Sequence, residues 1–172
     1  MIISDKCLGL VESAAEVFPE ADWQRCVVHW YRNIFKDVPH QKIRTVAAML
    51  KAIHAQEDRT AALDKAQTVV EKLREMKLNK AADHVRDSVE ETLSYMSYPE
   101  EHWRKIRTNN PLERIMREIR RRTRVVGSFP DGQSALMLVA ARLRHIAGTK
   151  WGTRRYLSME RLYELEQERK VA

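Results

Sequence analysis

Five glycines and five prolines are spread over 172 residues, and neither type occurs between Gln41 and Met96. So little chain-breaking material excludes long flexible linkers and predicts helical structure through the middle of the chain. Cysteine is scarcer still: Cys7 and Cys26 are the only two, too few for a disulfide framework. No apolar run approaches membrane length and the N-terminus does not read as a signal peptide. Neither a membrane protein nor a secreted one is therefore expected. Internal repeats and low-complexity tracts are missing as well. The expectation is a cytoplasmic chain of a size that buries one core, one domain with a sub-domain.

Charge, by contrast, is plentiful and uneven. The net charge is +7 and the pI about 9.6, which points to a polyanionic partner. Between Arg104 and Val126 stand nine basic and two acidic residues, which account for the whole excess; the remaining chain holds 22 of each sign. Six of the nine cations are the arginines 114, 117, 120, 121, 122 and 124. Arginine at this density suits phosphate, because its planar fork donates two parallel hydrogen bonds.

Residues 107–124, RTNNPLERIMREIRRRTR, read as a helix with a marked start. Asn110 suits the N-cap and Pro111 the first turn, with Glu113 at the third helical position. At 100° per residue Leu112, Ile115, Met116, Ile119 and Thr123 gather into a stripe expected to face the core. Glu113 lies on the other side, in line with Arg117, Arg120 and Arg124 and flanked by Arg114 and Arg121. Two readings of Glu113 stand open: a capping-box glutamate that suits the helix dipole, or a metal-binding carboxylate among phosphate-holding arginines.

The chain opens with Met1-Ile2-Ile3-Ser4-Asp5, a short buried strand that presents a carboxylate at its C-terminal end. A helix spaced over Leu8 to Phe18 stops at Pro19. Trp23 to His29 predicts a second strand and Trp30 to Lys36 one or two helical turns. Two strands make an incomplete sheet, so further strands are expected from elsewhere. Three helices follow, at about 41–54, 58–76 and 79–96. A short helix is expected over Glu101 to Ile106, then the arginine helix and a turn. A long apolar helix over Ala135 to Ala147, capped by Asp131, is expected in the core. Trp151 to Tyr156, with Arg154 and Arg155, is a basic aromatic loop. An amphipathic helix over Ser158 to Arg169 ends the pattern.

A strand-end Asp and a helical Glu among arginines is the pattern that metal-dependent phosphoryl transfer uses. Mg²⁺ takes carboxylate oxygens while keeping water and phosphate oxygens, and two such ions clamp the attacking and leaving oxygens of an in-line displacement. Arginines alongside position the nucleic-acid backbone. One Cys-x-x-His pair, Cys26 and His29, is half a zinc site; without a second pair it reads as a buried thiol and a hydrogen-bonding or DNA-contacting histidine.

The same residues carry a resemblance. Ile3-Ser4-Asp5 with Gly9-Leu10, Phe18-Pro19, and Trp23-Gln24-Arg25-Cys26 with His29 and Arg32-Asn33 resemble the mutator-type transposases of bacterial insertion sequences. So do Arg107 to Arg114, Arg120 to Gly127, Phe129-Pro130 and the Trp151 to Tyr156 loop. The resemblance runs in order from Ile2 to about Leu157.

That resemblance implies an α/β fold, mostly helical here: a partial ribonuclease-H-like core (1–40), an all-helical insertion (41–98) and a C-terminal part of the core (99–172). It implies an Asp-Asp-Glu triad in which Asp5 is the second acid and Glu113 the third, both ligands of Mg²⁺ or Mn²⁺. Cys26 and His29 correspond to the family's Cys-x-x-His signature. Arg107, Arg114, Arg117, Arg120, Arg121, Arg124, Arg154 and Arg155 would contact DNA. The implied partners are the terminal inverted repeats of an insertion sequence and its target DNA, in a homo-oligomer or a mixed oligomer with full-length transposase at the bacterial nucleoid. The family's first Asp belongs to a strand upstream of the segment that matches Met1 onward. The chain alone is therefore expected to be inactive, the alternative being a non-catalytic DNA-binding or regulatory fragment.

Overall fold

The first strand is held by very little backbone: β1 (Ile2–Ser4) pairs in parallel with β2 (Trp23–Arg25), Ile2 opposite Trp23 and Ser4 opposite Arg25. Bonds from Ile2 N to Asp22 O (2.8 Å) and from Cys26 N to Ser4 O (2.7 Å) close the ends of the ladder. In this computed structural model, which describes residues 1–171, the chain divides into two compact units. The first joins Met1–Thr108 to the segment from Met159 onward, and the second is Asn109–Ser158.

In the first unit α1 (Leu8–Val17) crosses over between the two strands, and α2 (Val27–Phe35) follows β2 directly. The second strand is thus shorter than its apolar run suggested. Val27, Trp30 and Ile34 recur at helical spacing and are all buried, so the run that reads as strand turns to helix at Val27. The helical insertion then packs α3 (Ile43–Ile53), α4 (Arg59–Glu75) and α5 (Asn79–Ser88) around Val46, Leu50, Ile53, Val69, Val70, Leu73 and Val85. Asp58 caps α4, its carboxylate accepting from Ala61 N at 2.8 Å.

The third insertion helix stops at Ser88 rather than near Met96, giving way to 3₁₀ turns at Glu90–Thr92 and Ser94–Ser97. The cause is Gln24. Its buried side-chain amide donates to Thr92 O (2.8 Å) and its carbonyl oxygen accepts from Tyr95 N (2.9 Å), satisfying main-chain groups that a longer helix would have used itself. Ser94 Oγ donates to Trp23 O (2.9 Å), so these turns cover the outer side of β2. On its other side β1 has no strand partner among the described residues.

Two further helices complete this unit. One is α6 (Glu100–Ile106), and the other, after the second unit, is α9 (Met159–Val171). Arg169 ties α9 back, with Nη1 3.2 Å from the Asp22 carboxylate and its guanidinium over the Tyr98 ring. Tyr98 donates to the same carboxylate at 2.7 Å and, with Arg169, holds the Asp22 pKa below its ordinary value.

The second unit is built on α7 (Asn110–Val126) and α8 (Gly132–Ala147). Asp131 caps α8 as expected, accepting from Ser134 N at 2.6 Å. The expectation that both apolar stripes are core is overturned. No residue of α7 is buried: Leu112 and Met116 are exposed, while Ile115, Ile119 and Thr123 are half-buried. On α8 only Ile146 is buried; Leu136 is 60% and Met137 66% exposed. The reason is geometric. Two helices offer each other one face apiece, and fifty residues supply no further layer on which a second apolar face could close.

Candidate functional site

Asp5 follows the last residue of β1, so the parallel ladder sets its carboxylate at the carboxyl end of the sheet, exposed to solvent. The turn leaving the strand is fixed by bonds from Cys7 N (2.9 Å) and Ser4 Oγ (2.7 Å) to Asp5 O, with Trp23 Nε1 donating to Ser4 Oγ at 2.9 Å. At the same end of β2 the Arg25 side chain is buried and meets Glu91 of the insertion at 2.9 Å. Lys6 meets the other oxygen of that carboxylate.

Cys26 and His29 stand at the start of α2 rather than on a strand. Cys26 is the N-cap residue and fully buried, and His29 is half-buried within the first turn. The bond from Cys26 N to Ser4 O puts the cysteine beside the end of the strand that leads to Asp5. Arg107 reaches the same neighbourhood from α6, because its carbonyl accepts from Val27 N at 3.1 Å. Its guanidinium points inward, Nη1 donating to His54 O at 3.3 Å. The first unit thus gathers Asp5, Cys26 and Arg107 around one end of the sheet. Among the described residues no group of three or more His, Cys, Asp or Glu is placed to hold a metal ion.

In the second unit α7 begins one residue earlier than its sequence suggests. Asn109, not Asn110, is the N-cap, Pro111 sits within the first turn, and Glu113 N donates to Asn109 O at 3.1 Å. Glu113 is half-buried in that turn, where the N-terminal end of the helix favours negative charge. The side chains of Arg114, Arg117, Arg120, Arg121 and Arg124 are exposed along the same helix.

Glu118 is shared by Arg142 (2.8 Å) and Arg121 (3.3 Å), and those bonds keep its pKa low. No carboxylate pairs with Arg117, Arg120 or Arg124 among the described residues. Eleven basic and three acidic residues give the second unit +8, while the first unit, with 20 and 21, carries −1. The charge excess therefore belongs wholly to the second unit.

After α8 the basic loop returns to α7: the Arg114 guanidinium lies 4.7 Å from the centre of the Trp151 ring. Arg154 and Arg155 follow on the same loop, exposed. Pattern reading singled out the loop but not this pairing, nor the Arg25–Glu91 pair, whose members stand 66 positions apart with no local signal joining them.

Comparison with known proteins identifies the family. The family described as Transposase, Mutator family, matches residues 1–151. The transposase for insertion sequence element IS1081 of Mycobacterium tuberculosis is 36% identical over 160 residues, which cover 93% of this chain and 38% of that protein. The transposase for IS406 of Burkholderia multivorans is 39% identical over 154 residues, 85% of this chain and 38% of its own length. For the IS256 transposase in transposon Tn4001 of Staphylococcus aureus the identity is 29% over 164 residues, 94% and 42% of the two chains. The chain spans about two fifths of the length of these relatives. With a family match over most of its length, it belongs to the Mutator family of transposases.

Proposed function

We propose that this chain contributes to DNA transposition at the ends of an insertion sequence as part of a ribonuclease-H-like catalytic core, with Asp5 and Glu113 as two carboxylates of an Asp-Asp-Glu triad. The observation that carries this reading is Glu113 in the first turn of a helix whose exposed side is arginine, on a unit of net charge +8. Both carboxylates offer the hard oxygen donors that Mg²⁺ or Mn²⁺ takes, and they would hold such an ion together with donors from outside the described residues. When bound, the ion supplies Lewis-acid charge for strand cleavage by water and strand transfer by a 3′-hydroxyl.

The work of the chain's other residues is to place the DNA. Arg114, Arg117, Arg120, Arg121 and Arg124 would contact backbone phosphates along α7, and Arg154 and Arg155 would extend that track. Arg107, whose Nη1 donates to His54 O, would contact DNA through its remaining donors. Cys26 would act as a buried thiol at the strand end, and His29 as a hydrogen-bonding or DNA-contacting group. The active assembly is a homo-oligomer, or a mixed oligomer with full-length transposase.

Two measurements test the reading. Glu113→Ala, made at the matching position of a full-length relative, should abolish strand cleavage and transfer while leaving DNA binding in place; continued strand transfer would refute the catalytic assignment. In this chain, Arg120→Ala with Arg124→Ala should flatten the dependence of log K on log[salt] by about 2, at roughly 0.9 per lost phosphate contact. An unchanged slope would make the arginine face structural. The charge of the second unit by itself supports a second reading, a DNA-binding or regulatory fragment that does no chemistry. It predicts that the isolated chain binds DNA with steep salt dependence yet cleaves none in Mg²⁺ or Mn²⁺.

A further inference from the structure

The loop from Trp151 to Tyr156 is more ordered than a solvated basic turn needs to be. A Cβ on Gly152 would stand 2.4 Å from Ile146 O and 2.6 Å from Ala147 Cα, so the chain here is pressed against the end of α8. Thr153 bonds back to Thr149 O twice, from its backbone N at 3.0 Å and from Oγ1 at 3.1 Å. Trp151, half-buried, is covered by Arg114, the neighbour of Glu113. These contacts fix the base of the loop. Beyond them come two exposed cations and one open ring in succession: Arg154, Arg155 and Tyr156, the last 44% exposed.

A basic pair beside an open aromatic ring on a fixed backbone matches single-stranded nucleic acid better than duplex. In a duplex the base faces are stacked on one another and unavailable to a side chain, whereas an unpaired base offers a flat face to an aromatic ring. Phosphates on either side of such a base would lie within reach of the adjacent guanidiniums. The ring needs no sequence preference, because every base has a π-face.

We propose that Tyr156 is a stacking platform for an unpaired nucleotide, with Arg154 and Arg155 holding the flanking phosphates and the Trp151–Arg114 pair bracing the loop. The preferred ligand of this loop is then a DNA end with a single-stranded tail rather than blunt duplex. This rests on the DNA-binding reading above and names the form of DNA.

The test uses the whole chain and two fluorescent probes, a blunt duplex and the same duplex carrying a single-stranded 3′ tail, followed by anisotropy at fixed salt. The chain should prefer the tailed probe. Tyr156→Ala should weaken tailed binding by about ten-fold, the order of one lost base stack, and leave blunt binding within about two-fold. Tyr156→Phe should restore the preference, because the ring and not the hydroxyl is needed. Trp151→Phe keeps a ring under Arg114 and should leave the preference intact. Equal affinity of the chain for both probes, or an equal loss on both in Tyr156→Ala, would overturn the platform while leaving duplex binding by α7 standing. Binding to neither probe would overturn both readings.

Discussion

Arg25 at the end of β2 and Glu91 in the helical insertion form an ion pair at 2.9 Å in which the Arg25 side chain is 6% exposed and the Glu91 side chain 25%. Arg25 Nε is buried without a hydrogen-bond partner, so this carboxylate is the main compensation for a buried charge. Removing one member of such a pair costs more than the pair itself contributes. Glu91→Ala should destabilise the fold by about 3 kcal/mol. Lys6→Ala, which removes an exposed partner of the same carboxylate, should cost less than about 1 kcal/mol. Urea denaturation of the two variants checks the difference, and equal costs would contradict the burial argument.

Gln24 joins β2 to the insertion by main-chain bonds rather than by charge. Replacing it with Leu keeps the bulk but leaves Thr92 O and Tyr95 N without partners in a dry interior. The expected cost is about 2–4 kcal/mol. Hydrogen exchange separates this from general loosening, because the Tyr95 amide should lose protection ahead of the amides of α4.

His54 is buried at the end of α3, where burial lowers its pKa from 6.5 to about 4. Its Nε2 lies 2.8 Å from the Thr92 hydroxyl, and its Nδ1 lies 2.9 Å from the Tyr31 hydroxyl and 3.3 Å from Leu50 O. The same burial keeps the imidazole neutral at pH 7. Between pH 6.5 and about 4 the unfolded chain binds a proton here that the folded chain refuses, so stability rises with pH across that window. It should fall by about 2 kcal/mol between pH 7 and pH 5 from this group alone. Nitrogen NMR should show a neutral imidazole and no titration midpoint of His54 down to pH 5; a midpoint near 6.5 would overturn the burial argument.

Lys77 closes α4 in the left-handed region at φ 59°, where Leu78 N reaches back to Leu73 O at 2.8 Å. A side chain is strained in that conformation and glycine is not. Lys77→Gly should stabilise the chain by about 1 kcal/mol, read as a higher thermal midpoint.

How far the sequence discloses this molecule depends on whether the cause is local. The Asp131 cap, the stop at Pro19 and the charge on α7 follow from adjacent residues, and those features stand where the pattern puts them. The early end of α5 does not, because the groups that interrupt it belong to Gln24, 68 and 71 positions away. Val27 turned from strand to helix for the related reason that a short apolar run fits either period. The exposed faces of Leu136 and Met137 mark a third limit: periodicity tells which residues share a side, not whether anything lies against it. For the candidate site, the pattern singles out Asp5 and Glu113 but not the Arg25–Glu91 pair beside the strand end or the Arg114–Trp151 stack.

The chain leaves the first unit after Thr108 and rejoins it at Met159, fifty residues later. On a ribosome this sets an order of events. The sheet, the insertion and α6 emerge first, and Asp22 with Tyr98 can pair at once. Arg169 cannot join them until the whole of the second unit has been synthesised, an interval of about 3–10 s at common elongation rates. During that time the first unit is missing a helix, and closing the detour afterwards carries the entropy of a fifty-residue loop, about 3/2 RT ln n. Completion of the first unit is therefore timed by the synthesis of the second.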